Sequence, residues 1–339
     1  MTLTTCWYIG YVLFIYLIQI ISEQIEAIAI AQYLLSFAAT LALYGASVLL
    51  FENRKSALIA SLCYILFLDL MSWNSYILCE SFYTSMLCFS FLGLVKFHLN
   101  KRSFSNALLL IVTILITVIS KPTGITLVVA IGAVFIYKGA LLITSRAFKV
   151  FISILMVSCT LLLINKMLTT YTIVDNDYKK GEIIYGITSL PDKLEYQSLK
   201  VTPPDDLTLP PKQEAPLIRI ASFIIQNPVY WLEMLSKKVF FLLSHIRPYW
   251  SIWHNLYVLA FLIPTYIFSL KYLFNREFSV SLKTFIFTYL AMHISIVGVT
   301  TAEWDGRFIL PMLPVLFMIV SQSFVMSWDK WAMNRKPTS

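Results

Sequence analysis

Two carboxylates and a guanidinium fall within five residues in Glu303-Trp304-Asp305-Gly306-Arg307, directly before Phe308-Ile309-Leu310-Pro311-Met312-Leu313-Pro314. A carboxylate can orient a hydroxyl or take its proton, and the planar fork of arginine suits phosphate or carboxylate. Local pairing of Arg307 with Glu303 or Asp305 is the plainer alternative. Glu80 follows Trp73-Asn74-Ser75-Tyr76-Ile77-Leu78-Cys79, about one turn inside an apolar segment. It reads as a polar wall residue or partner of a basic group, or as a boundary carboxylate favoured by a helix N-terminus. Asp69 reads as a boundary carboxylate of the same kind. Lys121, in Lys121-Pro122-Thr123-Gly124, could hold a phosphate as a point charge or snorkel from a proline-started turn. Arg247, in Arg247-Pro248-Tyr249-Trp250, is an accessory basic group.

Other constellations carry less. Asp175-Asn176-Asp177 has the spacing with which nucleotide-sugar transferases hold a metal, but the surrounding loop is too short for the α/β domain such enzymes use. It reads as solvated loop. His98 and His293 are isolated, and His245 and His254 lack metal-ligand spacing, so no metal site is indicated. Cys6, Cys63, Cys79, Cys88 and Cys159 all fall in apolar segments without a CxxC pair, which suits small core residues. There is no Gly-rich phosphate loop and no GxSxG elbow, and no cofactor is implied.

The elements that position these residues follow from composition. At 339 residues the chain is 58% hydrophobic and 13% charged, with a mean hydropathy of +0.75, which excludes an ordinary soluble domain. Apolar windows lie near residues 6–21, 27–51, 56–72, 76–97, 104–120, 122–143, 147–167, 252–274, 284–300 and 308–327. The expectation is an all-α polytopic membrane protein with nine or ten spans, nine if 6–21 lies along the surface. A net charge of +8 could suggest nucleic acid, but Lys and Arg are spread over short loops, as membrane topology requires. No nucleic-acid partner is therefore expected.

Basic loops alternate. Arg54-Lys55, Lys101-Arg102, Lys138 with Arg146 and Lys149, Lys271 with Arg276 and Lys283, and Lys330 with Arg335 and Lys336 all fall on one side, expected to be cytoplasmic. The C-terminus is then expected to be cytoplasmic, and the membrane to be the plasma (inner) membrane. The opposite face receives Glu23 and Glu26, Trp73-Asn74-Ser75, the Lys121 turn, residues 168–250 and the 303–307 cluster. The chain thus divides into membrane helices at 1–167, an extracytoplasmic segment at 168–250 and membrane helices at 251–339. The first half of the middle segment is polar and Pro-rich, an irregular loop with little core. From Glu214 to His245 the pattern predicts two interfacial amphipathic helices broken at Asn227-Pro228, the second with proline in its first turn.

Three places together resemble the GT-C membrane glycosyltransferases, the class that includes protein mannosyltransferase and aminoarabinose transferase families. They are Glu80-Ser81-Phe82-Tyr83, an acidic residue near a helix end followed by an aromatic pair; Lys121-Pro122-Thr123-Gly124, where arginine is the more usual first residue; and the acidic-x-Arg-aromatic run from Asp305 to Pro314. The likeness covers about residues 10–314. It implies inverting transfer of a sugar from a polyprenyl-phosphate carrier to a glycan, lipid or protein acceptor at the outer face, among membrane lipids. Glu80 and Asp305 would be wall, orienting or catalytic carboxylates, and Lys121, Arg247 and Arg307 would contact the carrier phosphate. The family's acidic pair lies in a first outer loop; Gly10-Tyr11-Val12-Leu13-Phe14 resembles the part that follows it, so that pair is expected upstream of Met1, and Glu80 is the substitute base within this chain. A lipid-linked sugar translocase and a non-catalytic carrier-lipid-binding relative are the alternatives. Transport predicts charged or broken helices near mid-membrane, whereas these charges gather at one boundary.

The alternation has a direct check. In a cysteine-free background, an impermeant thiol reagent should label a cysteine at position 200 in intact cells and leave one at position 101 unlabelled; the reverse pattern overturns the topology.

Overall fold

The computed structural model describes residues 7–99, 103–142, 145–169, 173–275 and 278–334. Cys6, Lys101, Arg102, Arg276, Arg335 and Lys336 lie outside the described residues. The fold is all-α, and the protein is a polytopic membrane protein. In chain order the helices are α1 Ile9–Ile21, α2 Ile25–Phe51, α3 Arg54–Leu66, α4 Leu68–Ser72, α5 Cys79–Leu99, α6 Phe104–Ser120, α7 Ile125–Leu142, α8 Arg146–Leu168, α9 Pro216–Gln226, α10 Pro228–Ser244, α11 Ile252–Leu273, α12 Val280–Val299 and α13 Leu313–Asn334. Each of the ten apolar windows is helical. Among the described residues seven helices are long and apolar enough to cross a membrane, and α3 with α4 makes an eighth, bent by 62°. The expected nine or ten spans shrink because two windows form shorter helices. The 13 residues of α1 rise about 20 Å and the 17 of α6 about 26 Å, against a hydrocarbon core of about 30 Å.

The chain forms two compact units, one of residues 1–128, 261–283 and 310–339, the other of 129–260 and 284–309. In the first, α5 packs against α2 and α6, while α3 packs against α2 and α13. Lipid offers no hydrophobic drive for helices to associate, so small side chains and interhelical hydrogen bonds do that work. Ser90 and Thr117 meet at 3.1 Å, and Ser56 meets Ser321 at 3.0 Å. Gln32 is fully buried on α2; its amide donates to the carbonyls of Asn74 and Tyr76 and its oxygen accepts from the Tyr11 hydroxyl, each at 2.9 Å. This ties α1, α2 and the turn before α5 together. Asn53 caps α3, its side chain accepting from the amides of Lys55 and Ser56. At the bend, Phe67 is buried against Phe261 and Phe317.

In the second unit, α9 and α10 occur where expected, each with proline in its first turn. The polar stretch before them differs from the expected coreless loop. Tyr178, Ile183, Ile184 and Leu199 are fully buried, and Tyr178 stacks on Phe223 of α9 with centroids 4.8 Å apart. The Tyr178 hydroxyl donates to Val299 O at 2.7 Å, and isolated bridges join Glu182 to Lys200 and Ile184 to Ala302. Average polarity hides these apolar residues because they are few and irregularly spaced among lysines and prolines.

Close approach makes Gly124 sensitive. A Cβ there would lie 2.8 Å from Thr117 O and from Val118 Cα, both backbone atoms. Gly124→Ala should therefore destabilise the protein in detergent by about 1–3 kcal/mol, whereas Gly139→Ala, with nothing within 4 Å, should be neutral or slightly stabilising. Thermal unfolding of both variants checks the contrast.

Candidate functional site

The candidate residues fall in both units, Glu80 and Lys121 in the first and Arg247, Asp305 and Arg307 in the second. In the first unit, Lys121 Nζ lies 3.0 Å from Glu80 Oε1, with both side chains about 5% exposed or less. Glu80 sits in the first turn of α5, and Lys121 follows the end of α6, in the extended residue before the Pro122–Gly124 turn. Proline at the start of that turn cannot extend the preceding helix hydrogen bonding, so the chain breaks and the lysine is presented sideways. Its ammonium also lies 5.7 Å from the Tyr83 ring centroid, where the aromatic face attracts a cation. Two residues separated by 41 positions, singled out independently as a basic group and a carboxylate in want of a partner, are thus paired. The lysine charge is balanced by Glu80.

In the second unit, Arg247, Glu303, Asp305 and Arg307 come together. Arg247 is 1% exposed, and its guanidinium is spent on backbone carbonyls. Nη1 donates to Phe241 O and Ile246 O, both at 2.8 Å, while Nη2 donates to Glu303 O at 2.7 Å and Nε to the same oxygen at 3.3 Å. The guanidinium also lies 5.5 Å from the Trp250 ring. Burial lowers its pKa from the ordinary arginine value. Arg247 is accordingly placed otherwise than as an exposed phosphate contact: it is a clamp holding the 303–307 turn. Sequence could not distinguish the two because its neighbours, Tyr249 and Trp250, suit either a buried cation or a membrane boundary.

The turn held by that clamp bears the charges. Arg307 Nη2 lies 3.3 Å from Glu303 Oε1 and Nε lies 3.6 Å from Asp305 Oδ1, so the local pairing considered from sequence is present. The Arg307 side chain is 24% exposed and that of Asp305 43%, leaving both open to solvent on this face. Gly306 between them has φ +69°, a left-handed conformation, and a Cβ would collide with the His245 ring. His245 is itself left-handed at φ 53° and ends α10. Tyr249 donates to Trp304 O, and the Trp304 indole donates to Tyr185 O at 2.8 Å. Downstream, a His293 ring nitrogen meets Phe308 O at 2.6 Å. The arrangement is a carboxylate–arginine triad on a turn fixed from below.

Other paired charges were not foreseen as partners. Arg219 Nη1 and Nη2 donate to Asp175 Oδ2 and Oδ1 at 2.9 and 3.0 Å, and this fork holds the Asp175 carboxyl below its ordinary value. Asp177, expected in solvated loop, is instead buried. Burial raises its carboxyl and lowers the fully buried Lys238 ammonium, against their mutual attraction. Lys238 donates to Thr300 O and lies 4.8 Å from the Tyr178 ring. The two carboxylates of the Asp175-Asn176-Asp177 run thus answer to different cations. The available signal was the lone cations Arg219 and Lys238 on apolar helices, which require partners that a linear sequence does not name.

Comparison with protein-family models, curated proteins and solved structures found no match.

If Arg247 is a clamp, Arg247→Gln should cost about 3 kcal/mol or more, since carbonyls of three residues lose a charged donor within a buried setting. Thermal unfolding in detergent reads this; unchanged stability with weakened binding of carrier lipid would restore the phosphate-contact role.

Proposed function

We propose that this protein is a GT-C-like glycosyltransferase of the plasma (inner) membrane, moving a sugar from a polyprenyl-phosphate carrier to an acceptor hydroxyl. The observation that carries the reading is the Glu80–Lys121 pair, which unites two of the three motifs of the resemblance in one buried contact at 3.0 Å. The third motif adds Arg307 and Asp305, partly exposed on their clamped turn. In this reaction a carboxylate takes the proton of the acceptor hydroxyl as its oxygen attacks the anomeric carbon. The bond from that carbon to the carrier phosphate breaks, and the phosphate leaves with the electron pair. Glu80 is assigned as the base and Asp305 as the orienting carboxylate. Within the second unit Arg307 is assigned to a carrier phosphate through its forked donors, and Arg247 positions its turn; within the first unit Lys121 is the candidate cation beside Glu80.

The same ion pair favours a second reading. A carboxylate balanced by Lys121 in a buried setting gains by remaining paired, and a chain that binds carrier lipid without transfer needs no base. The experiment that separates them is sugar transfer from a synthetic polyprenyl-phosphate donor by the purified chain, alongside lipid binding. The expected result is transfer that falls at least about tenfold in Arg307→Lys, which keeps the charge but loses the fork, with protein abundance unchanged. Transfer should also vanish in Glu80→Gln. Carrier binding without transfer would select the non-catalytic reading, and wild-type activity of Arg307→Lys would reduce Arg307 to an anchor.

A further inference from the structure

The second unit contains a cavity of ≈ 280 Å³ beside the start of α9, open on one side and floored by apolar residues such as Leu168 and Ile220. Four charged side chains line it: Asp175, Lys212, Glu214 and Arg219. Their charges are not equally spent. Asp175 and Arg219 neutralise one another through two hydrogen bonds, while among the described residues neither Lys212 nor Glu214 takes part in a salt bridge. Lys212 is exposed, and Glu214 Oε2 and Arg219 Nε are buried without a hydrogen-bond partner. Buried polar atoms are nearly always satisfied by protein, water or ligand, so an acceptor and a donor left over in the walls of one cavity call for an occupant with both functions. The volume admits a molecule of small-metabolite size, and the apolar floor accommodates a short carbon chain.

We propose that this cavity binds a small zwitterion carrying a primary ammonium and an oxyanion, the chemistry of ethanolamine phosphate. Glu214 receives the ammonium; Lys212, with Arg219 Nε–H behind it, receives the oxyanion. The Asp175–Arg219 fork holds the wall in place. The ligand is either a free metabolite or the head group of a lipid, reached across α9, whose Ile218 and Ile225 side chains are exposed. This assignment stands independently of the glycosyltransfer reading.

The test is calorimetric titration of the full chain in detergent with O-phosphoethanolamine. Binding is expected, weakened about tenfold or more in both Lys212→Gln and Glu214→Gln, the scale of a lost hydrogen bond to a charged group. Because neither side chain holds a salt bridge, the melting temperatures of both variants should match the wild type, which separates lost binding from lost fold. Phosphocholine, whose ammonium has no N–H, should bind less well. Competition of O-phosphoethanolamine by phosphatidylethanolamine nanodiscs, and not by phosphatidylcholine nanodiscs, assigns the lipid source; no competition by either assigns the free metabolite. Absence of binding at millimolar O-phosphoethanolamine, or binding that neither substitution alters, overturns the proposal and leaves the cavity to water.

Discussion

A charge surrounded by apolar groups must carry its compensation with it, and the polar architecture within each unit of this protein answers that constraint. Removing one member of a buried pair typically costs about 3–5 kcal/mol because the other is left without a partner. Glu80 and Lys121 meet this demand by pairing with each other, and thereby fasten the first turn of α5 to the residue that follows α6. Arg247 meets it chiefly through the backbone, spreading its donors over the carbonyls of Phe241, Ile246 and Glu303, with the charges of Asp305 and Glu303 adding attraction. Lys238 uses Thr300 O and the face of Tyr178, with Asp177 nearby. In each case the compensating group comes from a distant part of the chain or from an adjoining element, so electrostatics and chain path are solved together.

That solution sorts the cations by what they can still do. Arg247 gives four hydrogen bonds to backbone carbonyls and acts through the turn it grips. Lys121 is balanced and enclosed. Arg307, though engaged by Glu303 and Asp305, keeps part of its surface open, and exposed ion pairs exchange partners at small cost. An incoming anion therefore displaces its carboxylate neighbours at far smaller cost than it would extract Arg247. The turn geometry serves this division of labour, because left-handed Gly306 lets Asp305 and Arg307 project while the backbone lies against the His245 ring.

Much of the fold was legible in the residues. Ten apolar windows became helices, and the Asn227-Pro228 break fell between α9 and α10 because proline is well placed in a first helical turn and poorly placed inside one. The carboxylate at 80 was recognisable as a partner for a basic group, and the lysine at 121 as a point charge or a snorkelling residue. Their mutual contact was not, since helical periodicity reports which face a residue occupies and nothing about what lies opposite. The buried course of residues 173–201 escaped for a related reason: Tyr178, Ile183 and Leu199 follow no regular period, so their burial follows from tertiary partners alone. The burial of Arg247 was not legible because it depends on carbonyls, which every sequence contains and no sequence marks.

The 62° break at Phe67 bears on how the chain reaches its membrane during synthesis. An apolar segment partitions from the translocation channel into lipid on its own when its whole length is favourable, and an aspartate near mid-span costs about 2.5–3.5 kcal/mol on that scale. Neither arm of the broken pair is long enough to span, the first opens with Arg54-Lys55, and the second carries Asp69. The segment is long and apolar enough to cross only when its two arms are taken together. Its neighbour α2 is 27 residues long, is made immediately before it and packs along α3. The order of synthesis thus makes the 27-residue α2 available as a packing surface for α3 before the broken segment is complete.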